Sequence, residues 1–137
     1  MMLRIEDVMT SVVTCAFVDS SPEDIERIMQ KQDLKCLPII EIDGGYLGVI
    51  TKSGVSRCRC LGVDADTDKS SWLPIEEALS LPPNVSLMHA VEVMVSRNAH
   101  YIIVVESGQI RGIVSAIDVL GTLMREGKTI FAKHLFI

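Results

Sequence analysis

Apolar positions along this chain change period several times, and the same succession of periods occurs twice. In the first half, residues 3–9 place Ile5, Val8 and Met9 on one face, which predicts a short lead-in helix. Val12 to Val18 is an apolar, β-branched run that reads as extended. Ser21-Pro22-Glu23-Asp24 has the order of a helix start: an N-cap, a proline at the first helical position and acid in the first turn. Ile25, Ile28 and Met29 follow at helical spacing. Leu37-Pro38-Ile39-Ile40-Glu41-Ile42 reads as a strand with Pro38 at its start or edge. Asp43-Gly44-Gly45 reads as a hairpin turn and Tyr46 to Ile50 as the return strand. Thr51 can cap a helix from Lys52 to about Arg59.

The second half repeats this order. Ile75-Glu76-Glu77-Ala78-Leu79 parallels Ile5-Glu6-Asp7-Val8-Met9, and Pro82-Pro83-Asn84 is a turn. Ser86 caps a helix with Ala90, Val93 and Met94 inward, and Met88 and Met94 are expected to fill core. Tyr101 to Glu106, Ser107-Gly108-Gln109 and Ile110 to Val114 form the second hairpin, and a closing helix runs from Ala116 to about Met124. Each half reads α-β-α-β-β-α over about 60 residues, a repeat period whose units bury their faces only with a neighbour. The expected organisation is a first motif at 1–60, a linker at 61–72, a second motif at 73–124 and a tail at 125–137.

Composition narrows the function. The chain has 137 residues, 48% hydrophobic and only 4% aromatic, so its core must be aliphatic. Its net charge of −5, from 13 Lys and Arg against 18 Asp and Glu, argues against nucleic acid as the main partner. No apolar run approaches the roughly 20 residues of a membrane helix, and the charged N-terminus is no signal peptide. A cytoplasmic protein without a membrane partner is expected. Cys15, Cys36, Cys58 and Cys60 then read as thiols, because a reducing compartment disfavours disulfides. Cys58-Arg59-Cys60 is too closely spaced for a zinc knuckle, and His89 and His134 have no metal-ligand spacing. Asp64-Ala65-Asp66-Thr67-Asp68 starts like a calcium loop, but Lys69 stands where its glycine belongs and Ile75 where its glutamate belongs. No metal ligand is assigned.

The densest motif is Gly112-Ile113-Val114-Ser115-Ala116-Ile117-Asp118-Val119-Leu120, a buried strand that turns into a helix with Ser115 at the corner. Gly48-Val49-Ile50-Thr51-Lys52-Ser53-Gly54 is its weaker copy. Ser115-x-x-Asp118 fits a helix capping box, a role compatible with ligand binding. With Asp7-Val8-Met9-Thr10 and Leu37-Pro38-Ile39-Ile40, these segments resemble CBS motifs, and residues 3–124 resemble a tandem pair of them, a Bateman module. The fold class implied is α/β (α+β), two pseudo-symmetric motifs, each a small sheet flanked by helices.

The resemblance implies a non-catalytic regulatory module. It would bind an adenosine nucleotide or related ligand in the cleft between the motifs, pair into homodimers and signal to an effector protein in trans. AMP, ADP, ATP and S-adenosylmethionine are the candidate ligands, and no cofactor is required. By position, Asp118 matches the ribose-binding carboxylate, Ser115 the hydroxyl residue that contacts ribose or phosphate, Ile113 the adenine contact and His100 the phosphate-binding histidine. Thr10, Cys15, Leu34, Lys35 and Cys36 would form the opposite wall. The chain departs from the pattern twice: Ile103 stands in place of the second motif's proline, and Gly54 in place of the first motif's aspartate. The second departure leaves nothing at Thr51 to accept two ribose hydroxyls, so one working nucleotide site per chain is expected. Both departures favour the alternative, a dimerisation or scaffold module without ligand. An enzyme is disfavoured by the lack of a nucleophile–base pair, a phosphate-cradling glycine loop or a metal cluster. A thiol or metal sensor using Cys58 and Cys60 lacks support from spacing.

Overall fold

The computed structural model describes residues 2–60 and 74–135. The expected linker and the calcium-like loop fall mostly outside that range. The chain divides into two compact units, one of residues 14–78 and one of residues 1–13 with 79–137. These units do not follow the linear halves, because each lead-in segment is built into the unit that carries the other repeat.

In the 14–78 unit, β1 (Ala16–Phe17) runs parallel to β2 (Cys36–Ile40), which pairs antiparallel with β3 (Tyr46–Thr51). Helix α1 (Pro22–Lys31) starts where its sequence signals put it: Ser21 Oγ accepts from Asp24 N at 3.1 Å, with Pro22 at the first helical position. Helix α2 (Lys52–Cys60) follows β3 directly. Ile25, Met29, Leu37, Ile39, Ile50 and Val55 fill the space between helices and sheet. Only two residues of the expected Val12–Val18 strand are strand. Pro38 lies in the middle strand rather than at an edge, opposite Val49. It is tolerated because β1 pairs with β2 only from Ile39 onward, so no ladder partner asks for a Pro38 N–H.

The other unit repeats the plan. β4 (Ser80–Leu81) is parallel to β5 (Tyr101–Glu106), which is antiparallel to β6 (Gln109–Ser115). Strand β4 was not evident from sequence, since two residues show no periodicity. Ser107 and Gly108 both have positive φ, 54° and 77°, which makes the β5–β6 turn the two-residue kind whose twist matches the strands. Helix α3 (Leu87–Arg97) is capped by Ser86 Oγ, 3.2 Å from His89 N, and ends on Asn98 in the left-handed conformation. Leu87, Ala90 and Met94 face the core. Met88 does not: it is 58% exposed, because its position lies about 100° around the helix from Leu87. Helix α4 (Ala116–Leu135) outruns the expected end near Met124 and takes in most of the expected tail. Its two interior glycines, Gly121 and Gly127, cost only about 1 kcal/mol each, and no proline follows them.

The lead-in segments are placed alike in the two units. In residues 1–13, a 3₁₀ turn at Ile5–Asp7 sits against α3: Ile5 N donates to Val85 O at 2.9 Å and Leu87 N to Leu3 O at 2.8 Å. Thr10 and Ile113 then exchange both backbone hydrogen bonds, at 2.9 and 3.0 Å. In the other unit Glu76 and Val49 exchange the same pair, at 2.8 and 3.0 Å. The bridges equate Thr10 with Glu76, not with the position the sequence parallel implied, so that parallel is four residues out of register. Weakly periodic lead-ins carry no internal marker of register; the sheet edge sets it.

Gly112 and Gly48 make these bridges possible. Each lies opposite a β-bulge, across from Val104 and Ile39 respectively. A Cβ on Gly112 would stand 2.5 Å from Met9 Sδ and 2.9 Å from Thr10 O. A Cβ on Gly48 would stand 2.6 Å from Ile75 Cγ2 and 2.7 Å from Glu76 O.

Candidate functional site

Five of the nine residues singled out from sequence lie in the unit of residues 1–13 and 79–137. Strand β6 delivers Ile113 and Ser115 to the start of α4, and the Thr10 bridge fixes the strand's outer edge beside Ile113. Ser115 is the N-cap of α4 and Asp118 its third residue. Ser115 N donates to Asp118 Oδ2 at 3.0 Å, and Asp118 N donates to Ser115 Oγ at 3.1 Å. The capping box is therefore formed, and it orients both side chains. It engages one carboxylate oxygen with one backbone donor and leaves the Asp118 side chain further lone pairs. Both residues are half-buried. His100 precedes β5; its carbonyl accepts from Ala116 N at 2.8 Å, which ties the strand's entry to the α4 N-terminus, while the residue itself is exposed. Thr10 is also exposed and Ile113 half-buried.

The arrangement offers a carboxylate and a hydroxyl at a helix N-terminus, with an aliphatic strand residue two positions before the hydroxyl. A carboxylate can accept from both hydroxyls of a cis-diol, and a helix N-terminus favours phosphate.

The other four residues lie in the 14–78 unit. Cys15 and Cys36 are half-buried, and with Cys58 they are thiols rather than disulfides. Burial pushes the Cys15 thiol up, which disfavours the reactive thiolate. Leu34 and Lys35 line a cavity of about 450 Å³ together with Asp33, Thr51, Lys52, Ser53 and Ser56. Lys35 O accepts from Lys52 N at 2.9 Å, the counterpart of His100 O and Ala116 N. Gly54 N donates to Thr51 Oγ1 at 3.0 Å, so Thr51 caps α2 as Ser115 caps α4, with no carboxylate to return the bond. Sequence reasoning gave Lys52, Ser53 and Ser56 no role; Lys52 and Ser53 follow Thr51 directly, the one signal that could have found them.

Sequence reasoning also passed over Tyr46. Its hydroxyl is buried without a hydrogen-bond partner among the described residues. Burial raises the Tyr46 pKa, and the nearby Cys36 adds to the shift. Among the described residues no group of three or more His, Cys, Asp or Glu is placed to hold a metal ion. No helix among them is long and apolar enough to cross a membrane.

Two units of one plan, each a three-stranded sheet with helices and a capped strand-to-helix corner, define a tandem α+β repeat protein. The CBS domain model matches residues 5–58 and 72–125, and the chain belongs to the CBS domain family. The CBS domain pair of protein MJ0100, crystallised with 5′-methylthioadenosine and S-adenosyl-L-methionine, superposes with a TM-score of 0.74 at 16% identity, over 92% of this chain and 99% of that one. CBSX2 in complex with AMP superposes with a TM-score of 0.76 at 15% identity, over 91% and 98%. At these identities the likeness shows the fold. The chain is also 25% identical over 123 residues to arabinose 5-phosphate isomerase KdsD of Yersinia pestis; that match covers 88% of this chain and 37% of the isomerase.

Proposed function

We propose that this chain is a non-catalytic regulatory module that binds an adenosine nucleotide or related ligand and signals to an effector protein in trans. The observation that carries the reading is the Ser115–Asp118 capping box, which presents an oriented carboxylate and hydroxyl beside Ile113. Two proteins of the same fold are crystallised with adenosine compounds, AMP in one and 5′-methylthioadenosine with S-adenosyl-L-methionine in the other. In this reading Asp118 accepts from the ribose hydroxyls, Ile113 lies against adenine, and Ser115 and His100 serve ribose and phosphate. Thr10 contributes a wall, and Cys15 and Cys36, expected beside it, lie in the 14–78 unit. Leu34 and Lys35, first assigned to the same wall, line the Thr51 cavity in their own unit. The test is calorimetric titration of the full chain with AMP, ADP, ATP and S-adenosylmethionine. Micromolar binding at about one site per chain is expected for at least one of them; no binding by folded, ligand-free protein overturns the reading.

The scaffold alternative has its own observation. Ile117, Leu120 and Met124 are 75%, 54% and 62% exposed along one stripe of α4, and Val95 of α3 is 75% exposed. Beside them an apolar groove of about 320 Å³ runs between α3 and α4, lined by Met94, Val95, Val119, Leu120 and Leu123 among others. Exposed apolar surface of this extent at helical spacing is a mark of an interface, and we assign it to a second copy of the chain. Leu120→Glu is expected to weaken dimerisation at least tenfold in light scattering while leaving the thermal midpoint within a few degrees. A wild-type chain that stays monomeric at high concentration removes the homodimer from the proposal.

A further inference from the structure

Each unit has a groove between its two helices, and the two grooves match position by position. The caps fix the register: Ser21 and Ser86 start α1 and α3, and Thr51 and Ser115 start α2 and α4. Asp33 and Asn98, which follow α1 and α3 at matched positions, both have positive φ, 52° and 51°. The floors are alike. Met29 and Val55 are buried under the α1–α2 groove of about 190 Å³, and Met94 and Val119 under the α3–α4 groove of about 320 Å³. The rims differ. Where the α3–α4 groove has Val91, Val95 and Leu120, the α1–α2 groove has Glu26, Gln30 and Ser56. Gln30 Nε2 donates to Glu26 Oε1 at 3.3 Å, which places that carboxylate beside the exposed Gln30. None of the described residues that line the α3–α4 groove is charged.

From this difference we infer that two copies of the chain pair like to like, α3–α4 groove against α3–α4 groove, and that the α1–α2 groove takes no part. The inference rests on the homodimer reading above and names the face of the second copy that is met. A twofold axis sets one surface patch against the same patch of the partner. Pairing the α3–α4 groove with itself covers an apolar rim with an apolar rim and buries no charge of its lining. Pairing the α1–α2 groove with itself would bring the Glu26 carboxylates of both copies into one interface, and juxtaposed like charges oppose binding. Pairing α1–α2 with α3–α4 would take the Glu26 carboxylate out of water against Val91 and Val95, in a lining with no charged residue to meet it. A net charge of −5 on each copy also favours the contact that holds the least acid.

The test is sedimentation equilibrium of the full chain with matched substitutions in the two grooves. Leu120→Glu and Leu120→Lys are each expected to raise the dimer dissociation constant at least about tenfold. Ser56→Glu, at the matched position, should change it less than about twofold. Mixing the Leu120→Glu and Leu120→Lys chains should restore pairing to within a few-fold of wild type, because opposite charges then meet across the axis. Leu120 and Ser56 are exposed, so the variants are expected to fold, and their thermal midpoints report this. Val95→Glu and Val95→Lys, set against Gln30→Glu, repeat the comparison at a second matched pair of exposed positions. A Ser56→Glu chain weakened as much as Leu120→Glu, a Glu and Lys mixture no tighter than either chain alone, or a Leu120→Glu chain rescued by Ser56→Lys instead would each overturn the like-to-like contact and leave the homodimer standing. A wild-type chain that stays monomeric would remove both.

Discussion

Asp118→Asn is expected to lower affinity for the adenosine ligand at least tenfold and to leave the protein folded. A hydrogen bond to a charged group contributes about 1.5–3 kcal/mol, and a carboxylate shared by two ribose hydroxyls stands to lose the upper part of that range. Asparagine keeps the shape of the side chain, and its carbonyl can still accept from Ser115 N, so the capping interaction at 3.0 Å survives in weakened form. Asp118→Ala removes both functions. It should abolish binding and also cost about 0.5–2 kcal/mol of stability, the usual range for a lost cap. Calorimetry measures the first effect and urea unfolding the second. If Asp118→Asn binds like wild type while Asp118→Ala is only less stable, Asp118 is a cap and nothing more, and the scaffold reading replaces the sensor.

Gly112→Ala is expected to be among the most destabilising single-methyl additions in the chain, at about 2–3 kcal/mol, the upper range for overpacking a filled site. The new Cβ would stand 2.5 Å from Met9 Sδ and 2.9 Å from Thr10 O. Met9 can rotate away. Thr10 O cannot move without stretching its bond from Ile113 N, now 3.0 Å. The lead-in must therefore separate from β6 or the strand must shift. Faster amide exchange at Thr10 and Ile113, together with a lower urea midpoint, would report the separation. Gly121→Ala is the control: its Cβ would meet only Arg125 Nη1, at 3.6 Å, and a helical glycine replaced by alanine gains about 0.5–1 kcal/mol. A Gly112→Ala chain as stable as Gly121→Ala would show that the lead-in is not held on the sheet edge.

The two substitutions probe different kinds of information. Asp118 was legible as a residue with chemistry because its motif is local. The capping box spans four residues, and its spacing alone brings Ser115 and Asp118 together. The caps at Ser21, Thr51 and Ser86, the two hairpins and the repeat itself were legible for the same reason: near neighbours in sequence form them, and their periodicities survive any tertiary arrangement. Gly112 was legible only as part of a motif. Nothing in the sequence says that Met9 and Thr10 cross its face, since that contact joins segments about a hundred residues apart, and the lead-in has no periodicity from which to read its register.

The same division runs through the candidate site. Sequence placed Thr51 at a corner and Gly54 where an acid was expected, and read this as an impaired site. The structure adds Asp33, Lys52, Ser53 and Ser56 beside Lys35 as the lining of one cavity. Met88 shows the reverse, a residue typical of cores that one helical position turns outward. By itself, then, the sequence determined the elements, their caps and the duplicated corner, because those depend on spacing within a few residues. Only the tertiary structure decided which lead-in docks on which sheet, why two glycines are required and what surrounds Lys35, because those depend on approaches between segments distant in the chain, made through backbone atoms that every residue type shares.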